Sequence, residues 1–263
     1  MDLIEDFVAR YRKEFDFYDQ SARLVAQTLE GALQAAGIRA IVTSRAKSVG
    51  RLERKCRQRE AEKKYASVQD IYDDIIDLAG VRVALYFPGE RNEVDKLVKE
   101  LLTLLGPPKK FQTEDAPKTF PTGGDPYEKR FSGYWATHYR VRLRDSSLTD
   151  AQKRYGEARI EIQVASVLMH AWAEVEHDLA YKPLEGHLSE EEYAILDELN
   201  GLVMAGEIAL ERLQRAGEAR VAAGGREFAN HYDLAAHLLS RTGRIVGIPL
   251  GKVCTGRCSG AIG

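Results

Sequence analysis

Two carboxylates stand in segments that otherwise have the pattern of strands. Asp77 comes just before the apolar run Gly80–Phe87, and Glu161 lies inside the alternating segment Arg159–Val164. The apolar residues of that segment share one face of a strand, so Glu161 and Gln163 share the other. Two such carboxylates can bind Mg²⁺, which takes its remaining oxygen ligands from water and substrate phosphates. If the second face only meets solvent, Glu161 has no chemical role, and this alternative stays open.

Basic side chains are placed where they can meet an anion. Arg45 and Lys47, next to Ser48, follow a short β-branched segment. The planar fork of an arginine and the point charge of a lysine both bind phosphate. Arg82 lies within the apolar run after Asp77, where a charge needs a partner or a pocket. The alternatives are a solvated basic helix start and an internal salt bridge of Asp77 with Arg82 or a neighbour.

Aromatic residues add a surface on which a base can stack. Tyr134 and Trp135 follow Gly133, after a segment at 112–132 that is rich in Pro, Gly and Thr. Stacking contributes roughly 1–3 kcal/mol per base. At about 20 residues, the preceding segment is long for a loop, and such loops are usually functional or mobile. A strand that opens with aromatic core residues is the alternative.

Together these residues fit phosphoryl-type transfer, in which a protein positions the substrates and neutralises their charge. The chain contains neither GxxxxGK[ST] nor GxGxxG. A P-loop and a Rossmann turn are therefore excluded as the device that holds the phosphates.

The composition is that of an ordinary soluble globular protein. Of 263 residues, 44% are apolar and 30% are charged, and the net charge is −2. These values exclude a fibrous or wholly disordered chain and a polycation built for nucleic acid. The cysteines, Cys56, Cys254 and Cys258, form an odd and sparse set, which is typical of a reducing compartment, and we expect a cytoplasmic protein. The Cys254–Cys258 pair has no further ligands nearby, which favours a flexible tail over a metal site.

Hydrophobic periodicity predicts a mixture of helices and strands. The predicted helices cover residues 3–36, 44–60, 68–76, 90–105, 166–181, 190–219 and 228–240, and the strands cover 38–43, 80–87, 135–144 and 159–164. This order indicates an α+β domain with a mixed sheet, flanked by helices at both ends. We expect N-terminal helices at 1–37, the α+β domain at 38–183, C-terminal helices at 184–221, and an extra helix with a glycine-rich tail at 222–263. No signal peptide and no membrane span are predicted.

Taken in order, the charged and aromatic segments resemble the synthetase domain of the RelA/SpoT-homology family, whose members make the alarmones ppGpp and pppGpp. The matching pieces are RAKS (45–48), DLAGVRV (77–83), GYWATH (133–138), EIQV (161–164) and WAEVEHDLAYK (172–182). The chain has no HD hydrolase motif and only a short tail, so it resembles the small single-domain synthetases.

The resemblance implies a nucleotidyltransferase-like mixed sheet that transfers pyrophosphate from ATP to the 3′-hydroxyl of GDP or GTP with Mg²⁺. On this basis Asp77 holds the metal, and Glu161 helps the metal or acts as the base. The ATP-binding residues are Arg45, Lys47, Ser48 and Arg82, with the arginines at the adenine and Lys47 at the phosphates.

The same resemblance places Tyr134, His138 and Gln163 on the acceptor side, with Tyr134 stacked on the base and His138 near the phosphates. Members of the group that this chain resembles can form homotetramers through terminal helices, which the stretch 190–219 could supply.

Departures from the family leave the acceptor open. Ala165 and Ser166 stand where the family often has Arg and Thr, and Trp135 stands where it often has Arg or Lys. A toxin-like relative that modifies the 3′ end of tRNA or adenine nucleotides is therefore the alternative function. Two clusters of basic residues could bind the phosphate backbone of such a tRNA: Arg51, Arg54, Lys55, Arg57 and Arg59, and Lys109 with Lys110. Most clusters of this kind are solvated helix faces, and this alternative stays open.

Two further alternatives have less support. His170, Glu174 and His177 share one helix face, and Glu174-x-x-His177 has the spacing of di-iron bundles, but no second helix of that kind is present. We therefore expect packing and supporting roles for both histidines. A binding module without catalysis is disfavoured because Asp77 and Glu161 are both present.

Overall fold

The computed structural model describes residues 2–111, 119–120, 122, 126–131, 135–180 and 188–223. The chain divides into two compact units, Met1–Arg215 and Ala216–Gly263. The described part of the second unit is the end of the last helix. The predicted helix at 228–240 and the Cys254–Cys258 pair lie outside the described residues.

A mixed sheet forms the centre of the first unit. Its strands are β1 (Ala40–Ala46), β2 (Ala79–Leu85), β3 (Leu102–Leu104), β4 (Lys109–Phe111), β7 (Ala136–Leu143) and β8 (Ile160–Ser166). The order is β1-β2-β8-β7-β3, and β4 also pairs with β7. Strands β2 and β8 are parallel, whereas the other neighbours are antiparallel. Two short strands, β5 (Thr119–Phe120) and β6 (Tyr127–Glu128), form a separate antiparallel pair.

Helices cover the sheet. They are α1 (Leu3–Ala35), α2 (Val49–Lys63), α3 (Val68–Asp74), α4 (Arg91–Leu101), α5 (Val167–Ala180) and α6 (Glu190–Ala223). A 3-10 helix at Asp150–Glu157 precedes β8. None of the described helices is long and apolar enough to cross a membrane.

Capping residues define both ends of helix α1. Asp2 caps its first turn, and Glu5 completes a capping box. At the other end Gly37 has a φ of +73°, and the Ile38 amide donates to the Leu33 carbonyl at 2.9 Å. This is the Schellman geometry, in which glycine tolerates the left-handed conformation. The predicted helical stretch before Gly37 is therefore one helix.

The main core lies between α1 and one face of the sheet. From α1, it contains Phe7, Tyr11 and Leu29, and from the sheet it contains Val81 and Ile162. Each fully buried side chain of this kind contributes roughly 1.5–3 kcal/mol. Because this face is apolar, the polar residues that alternate with it along β2 and β8 must emerge on the other face.

The structure confirms the predicted fold class and changes some element boundaries. Ser44 and Arg45, expected at a helix start, belong to β1, because they pair with Val81 and Gly80 of β2. The helix expected at 90–105 ends at Leu101, and β3 follows because it pairs with β7. In both places strand pairing overrides local helix propensity.

Candidate active site

Strand register brings the predicted site residues into two rows on the face opposite the core. In the first row Arg45, Gly80, Glu161 and Arg140 are successive partners across β1, β2, β8 and β7. Directly paired residues project from the same face of a sheet. Gly80 has no side chain, so the space between Arg45 and Glu161 stays open to a ligand.

The second row runs parallel to the first, two residues later along β2 and β8 and two residues earlier along the antiparallel strands β1 and β7. Arg82, Gln163, His138 and Lys109 are its successive partners, from β2 to β4. Thr43 of β1 pairs with Arg82 at the other end. The two rows thus unite predicted ATP-binding and acceptor-binding residues on one surface.

Asp77 lies beside these rows, just before β2, and two lysines hold its carboxylate. Lys47 Nζ lies 2.5 Å from Oδ2, and Lys55 Nζ lies 2.8 Å from Oδ1. Burial raises the pKa of Asp77, but the two ammonium groups outweigh it and leave the pKa below its usual range. Asp77 is therefore ionised at neutral pH. The sequence left open, as an alternative, an internal salt bridge of Asp77 with Arg82 or a neighbour, and the structure shows such ion pairs with Lys47 and Lys55.

Helix α1 fixes the backbone on either side of this ion pair. The Tyr11 hydroxyl lies 2.7 Å from the carbonyl oxygen of Lys47 and 3.2 Å from that of Leu78. The Lys47 amide in turn donates to the Leu78 carbonyl at 2.9 Å. One buried phenol thus ties together the two segments that carry Lys47 and Asp77.

The start of α2 adds a second feature that favours anions. Ser48 is the N-cap residue, but its side chain makes no capping hydrogen bond, and the first turn contains no acidic residue. Free amides at a helix N-terminus attract phosphate through the helix dipole. With Lys47 and Lys55 beside it, this end of α2 can bind the phosphates of a nucleotide.

Glu161 is held in an ionised state by its neighbours on the same face. His138 Nδ1 lies 3.2 Å from Oε1, and Gln163 Nε2 donates to Oε2 at 2.8 Å. Burial raises the pKa of Glu161, yet the contacts with His138 and Gln163 bring it below its usual range. The charge of Asp77 opposes that shift. The two carboxylates therefore repel each other electrostatically.

Arg82 pairs with Glu174 of α5, at 2.7 Å between Nη2 and Oε2. His170, one turn earlier on α5, is buried and lies 3.2 Å from the Val83 carbonyl through Nε2. Burial, aided by the charge of Arg82, lowers the pKa of His170 to about 4. Among the described residues no group of three His, Cys, Asp or Glu side chains could hold a metal ion, so the di-iron alternative has no support in this part of the chain.

Tyr134, predicted to stack on the acceptor base, lies outside the described residues. Its neighbour Trp135 is exposed, and the Arg91 guanidinium lies 5.3 Å from the centre of its ring. On the β4 side, the Phe111 and His138 rings are 4.4 Å apart.

Most of the basic residues of α2 are engaged in ion pairs. Lys55 pairs with Asp77, and the other pairs are Arg57 with Asp2 and Glu53, and Arg59 with Asp74. Arg51 and Arg54 are exposed. The basic cluster thus mainly neutralises acidic residues of this chain.

Sequence reasoning did not assign Lys55, Glu174 and Arg140 to the site. Arg140 follows His138 by two residues, so strand periodicity alone would have placed both on one face. Lys55 follows Ser48 by seven residues, which is two turns of helix and returns to the same side. The partnership of Glu174 with Arg82 spans distant segments and has no local signal.

In a comparison with sequence models of protein families, the family described as a region found in RelA / SpoT proteins matches residues 44–185, which is more than half of the chain. The chain belongs to the RelA/SpoT family. The resemblance noted in the sequence is thereby confirmed. The sequence matches no curated protein.

Solved structures of this family share the fold of the chain. A GTP pyrophosphokinase family protein from Streptococcus pneumoniae superposes with a TM-score of 0.61 at 19% identity, over 82% of this chain and 98% of that one. Small alarmone synthetase 1 from Bacillus subtilis gives a TM-score of 0.59 at 20% identity, over 80% and 98%. The same synthetase bound to its product pppGpp gives 0.57 at 20% identity, over 81% and 99%.

Proposed function

We propose that the protein transfers pyrophosphate from ATP to the 3′-hydroxyl of GDP or GTP, which yields AMP and ppGpp or pppGpp. The observation that carries the proposal is the pair of rows on one face of the sheet, with the Lys47–Asp77–Lys55 cluster beside them. The family and the pppGpp-bound relative agree with this chemistry.

In the reaction the acceptor 3′-oxygen forms a bond to the β-phosphorus of ATP, and the bond from that phosphorus to the oxygen shared with the α-phosphate breaks. Lys47, Lys55 and the start of α2 bind the phosphates, and Arg45 and Arg82 hold the adenine. Glu161, ionised at neutral pH, accepts the proton of the 3′-hydroxyl or helps to bind the cation. His138 and Gln163 orient the Glu161 carboxylate and face the acceptor.

The residues present fit Mg²⁺. Asp77 and Glu161 are ionised, and the charge of Asp77 opposes the ionisation of Glu161, a repulsion that a divalent cation would relieve. Mg²⁺ needs one or two carboxylates in addition to water and phosphates. We propose that Asp77 and Glu161 hold it, and that it supplies charge neutralisation at the transferred phosphates.

Helix α6 offers a surface for self-association. Large apolar side chains lie exposed at helical spacing, namely Ile195, Leu199, Leu202 and Leu213. We propose that copies of the chain associate through this apolar stripe into a homo-oligomer, as the family resemblance implies.

Label transfer from γ-³²P-ATP tests the function. The protein is incubated with Mg²⁺ and, in turn, GDP, GTP, adenine nucleotides and deacylated tRNA, with the Glu161→Gln variant as the control. Label on GDP or GTP that depends on Glu161 is the expected result. Label on tRNA or on an adenine nucleotide would contradict GDP and GTP as the acceptors and would indicate the activity of a toxin-like relative. No label on any acceptor would contradict the proposal.

A further inference from the structure

The segment that precedes Gly133 is clamped between α5 and α6. We propose that Asp197 of α6 is a positioning residue for the acceptor, because it fixes Tyr127–Phe131, the described segment that precedes Tyr134 in the sequence. The inference rests on the proposed function, since it concerns the acceptor side of that reaction. Helix α6 lies outside the residues matched by the family model, whereas α5 and Tyr127–Phe131 lie within them.

Asp197 is the centre of the clamp. The residue is only 2% exposed. Its carboxylate accepts three hydrogen bonds. Oδ2 accepts from the Tyr127 hydroxyl at 3.0 Å and from the Arg130 amide at 2.7 Å, and Oδ1 accepts from the Phe131 amide at 2.9 Å. A buried carboxylate is costly unless it is satisfied in this way. Asp197 therefore fixes both a side chain and two consecutive backbone amides.

The same face of α6 provides two further contacts, one turn on either side of Asp197. The Tyr193 ring stacks on that of Tyr127, with centroids 5.9 Å apart and planes at 11°. At Gly201 a Cβ atom would come within 3.0–3.2 Å of the Phe131 ring. The glycine thus leaves the room that Phe131 occupies.

Helix α5 holds the segment from the other side. Lys129 forms an ion pair with Glu176, and the two side chains are only 7% and 13% exposed. The Lys129 ammonium also lies 5.0 Å from the centre of the Trp172 ring. A charge pair so well shielded from water is screened little by salt. The segment is therefore fixed by one helix through Lys129 and by the other through Tyr127, Arg130 and Phe131.

The clamp bears on the acceptor because of where the chain continues. Phe131 stands three residues before Tyr134, and β7 begins at Ala136 and carries His138. Ala136 is itself buried against Trp172 of α5. The described chain is thus held on both sides of Tyr134, and a shift at the clamp alters the start of the acceptor region. Misplacement by about 1 Å can cost on the order of a hundredfold in rate.

Asp197→Asn tests the inference, with Glu198→Gln as its matched control. Asn keeps the shape of Asp but turns one acceptor oxygen into an amide that faces a donor. Glu198 is the exposed neighbour on the same helix and loses the same charge. We expect the KM for GDP to rise about tenfold or more in Asp197→Asn. The KM for ATP should stay unchanged, and Glu198→Gln should behave as wild type.

Hydrogen exchange of peptides that span residues 126–131 provides a readout independent of activity. The amides of Arg130 and Phe131 should exchange faster in Asp197→Asn than in Glu198→Gln. Tyr127→Phe removes one of the three donors and should shift the GDP KM in the same direction by less. This variant decides the question if Asp197→Asn does not fold.

Two results would overturn the inference. One is an equal rise in the KM for ATP and for GDP, which would indicate general loosening. The other is faster exchange with an unchanged GDP KM. If the wild type transfers to an acceptor other than GDP or GTP, the proposed function is contradicted but the inference about Asp197 is not. The inference is then tested by the ratio of variant to wild-type KM for that acceptor.

Discussion

Glu161 combines the properties that the proposed chemistry requires of a single residue. It lies on the open face of β8, both of its oxygens have hydrogen-bond partners, and its pKa lies below its usual range. An ionised carboxylate with low basicity suits a cation ligand better than a proton acceptor. The same contacts with His138 and Gln163 limit its side-chain freedom, so little ordering remains to be done when substrates bind.

Replacement of Glu161 by Gln should abolish transfer without unfolding the protein. We expect a decrease of about a hundredfold or more in kcat, since general base and metal-ligand roles both need the charge. Gln retains the volume of Glu, so the thermal unfolding temperature should stay close to that of the wild type. The exposed Glu157 provides the control through Glu157→Gln, which should leave kcat unchanged. Near-normal turnover of Glu161→Gln would contradict the two-carboxylate site.

His170 should make stability fall as the pH falls. Its pKa is lowered from 6.5 to about 4 in the folded protein, so the unfolded chain binds more protons between these values. The contribution of neutral His170 to the free energy of unfolding is therefore complete at pH values above the pKa of the unfolded chain. It decreases by about 2 kcal/mol between about pH 7 and about pH 5.

Urea unfolding at both pH values measures this effect. The free energy of unfolding should depend less on pH in His170→Gln than in the wild type. The exposed His177 of the same helix provides the control for the His-to-Gln substitution itself, through His177→Gln. An unchanged dependence in His170→Gln would show that His170 is not buried in its neutral form.

At the scale of elements, α1 positions the site through Tyr11. Tyr11→Phe removes the hydroxyl shared by the carbonyls of Lys47 and Leu78. We expect a loss of about 1–3 kcal/mol in the free energy of unfolding, because the Lys47 carbonyl loses the hydroxyl donor. The KM for ATP should rise and that for the acceptor should not. Tyr18→Phe, on the same helix, is the control, and an equal effect there would contradict the positioning role.

The elements also show how far the sequence could be interpreted. Alternation along Arg159–Val164 correctly separated a core face from a polar face, because strand periodicity is a local property. The register that aligns Arg82, Gln163 and His138 depends on pairing between distant segments, which no local pattern encodes. The same reason explains why β3 was predicted as helix: its pairing with β7 outweighs the helical spacing of its apolar residues.

At the scale of the whole molecule, motif order identified the family more securely than any single residue identified a role. Five short motifs in order span most of the region that the family model matches. The contacts of α6 could not be predicted in this way. Asp197, Glu207 and Glu211 of this helix bind Tyr127, Ser166 and Arg91, which belong to three separate parts of the fold.

The exposed side of α6 leads to a prediction about assembly. Leu202 and Leu213 are 69% and 63% exposed, and exposure of several large apolar residues along one helix favours association with another surface. Leu202→Glu places a charge in the middle of this stripe and should disperse the proposed oligomer into chains of 29.4 kDa. Light scattering coupled to size exclusion measures the mass directly.

The control for this change lies on the same helix. Ile208 is also exposed, but it follows Leu202 by six residues and so points to a different side. Ile208→Glu should therefore leave the oligomer intact, which separates loss of the stripe from a general effect of added charge on α6. A wild-type protein that is already monomeric, or equal dissociation by both variants, would contradict association through the stripe.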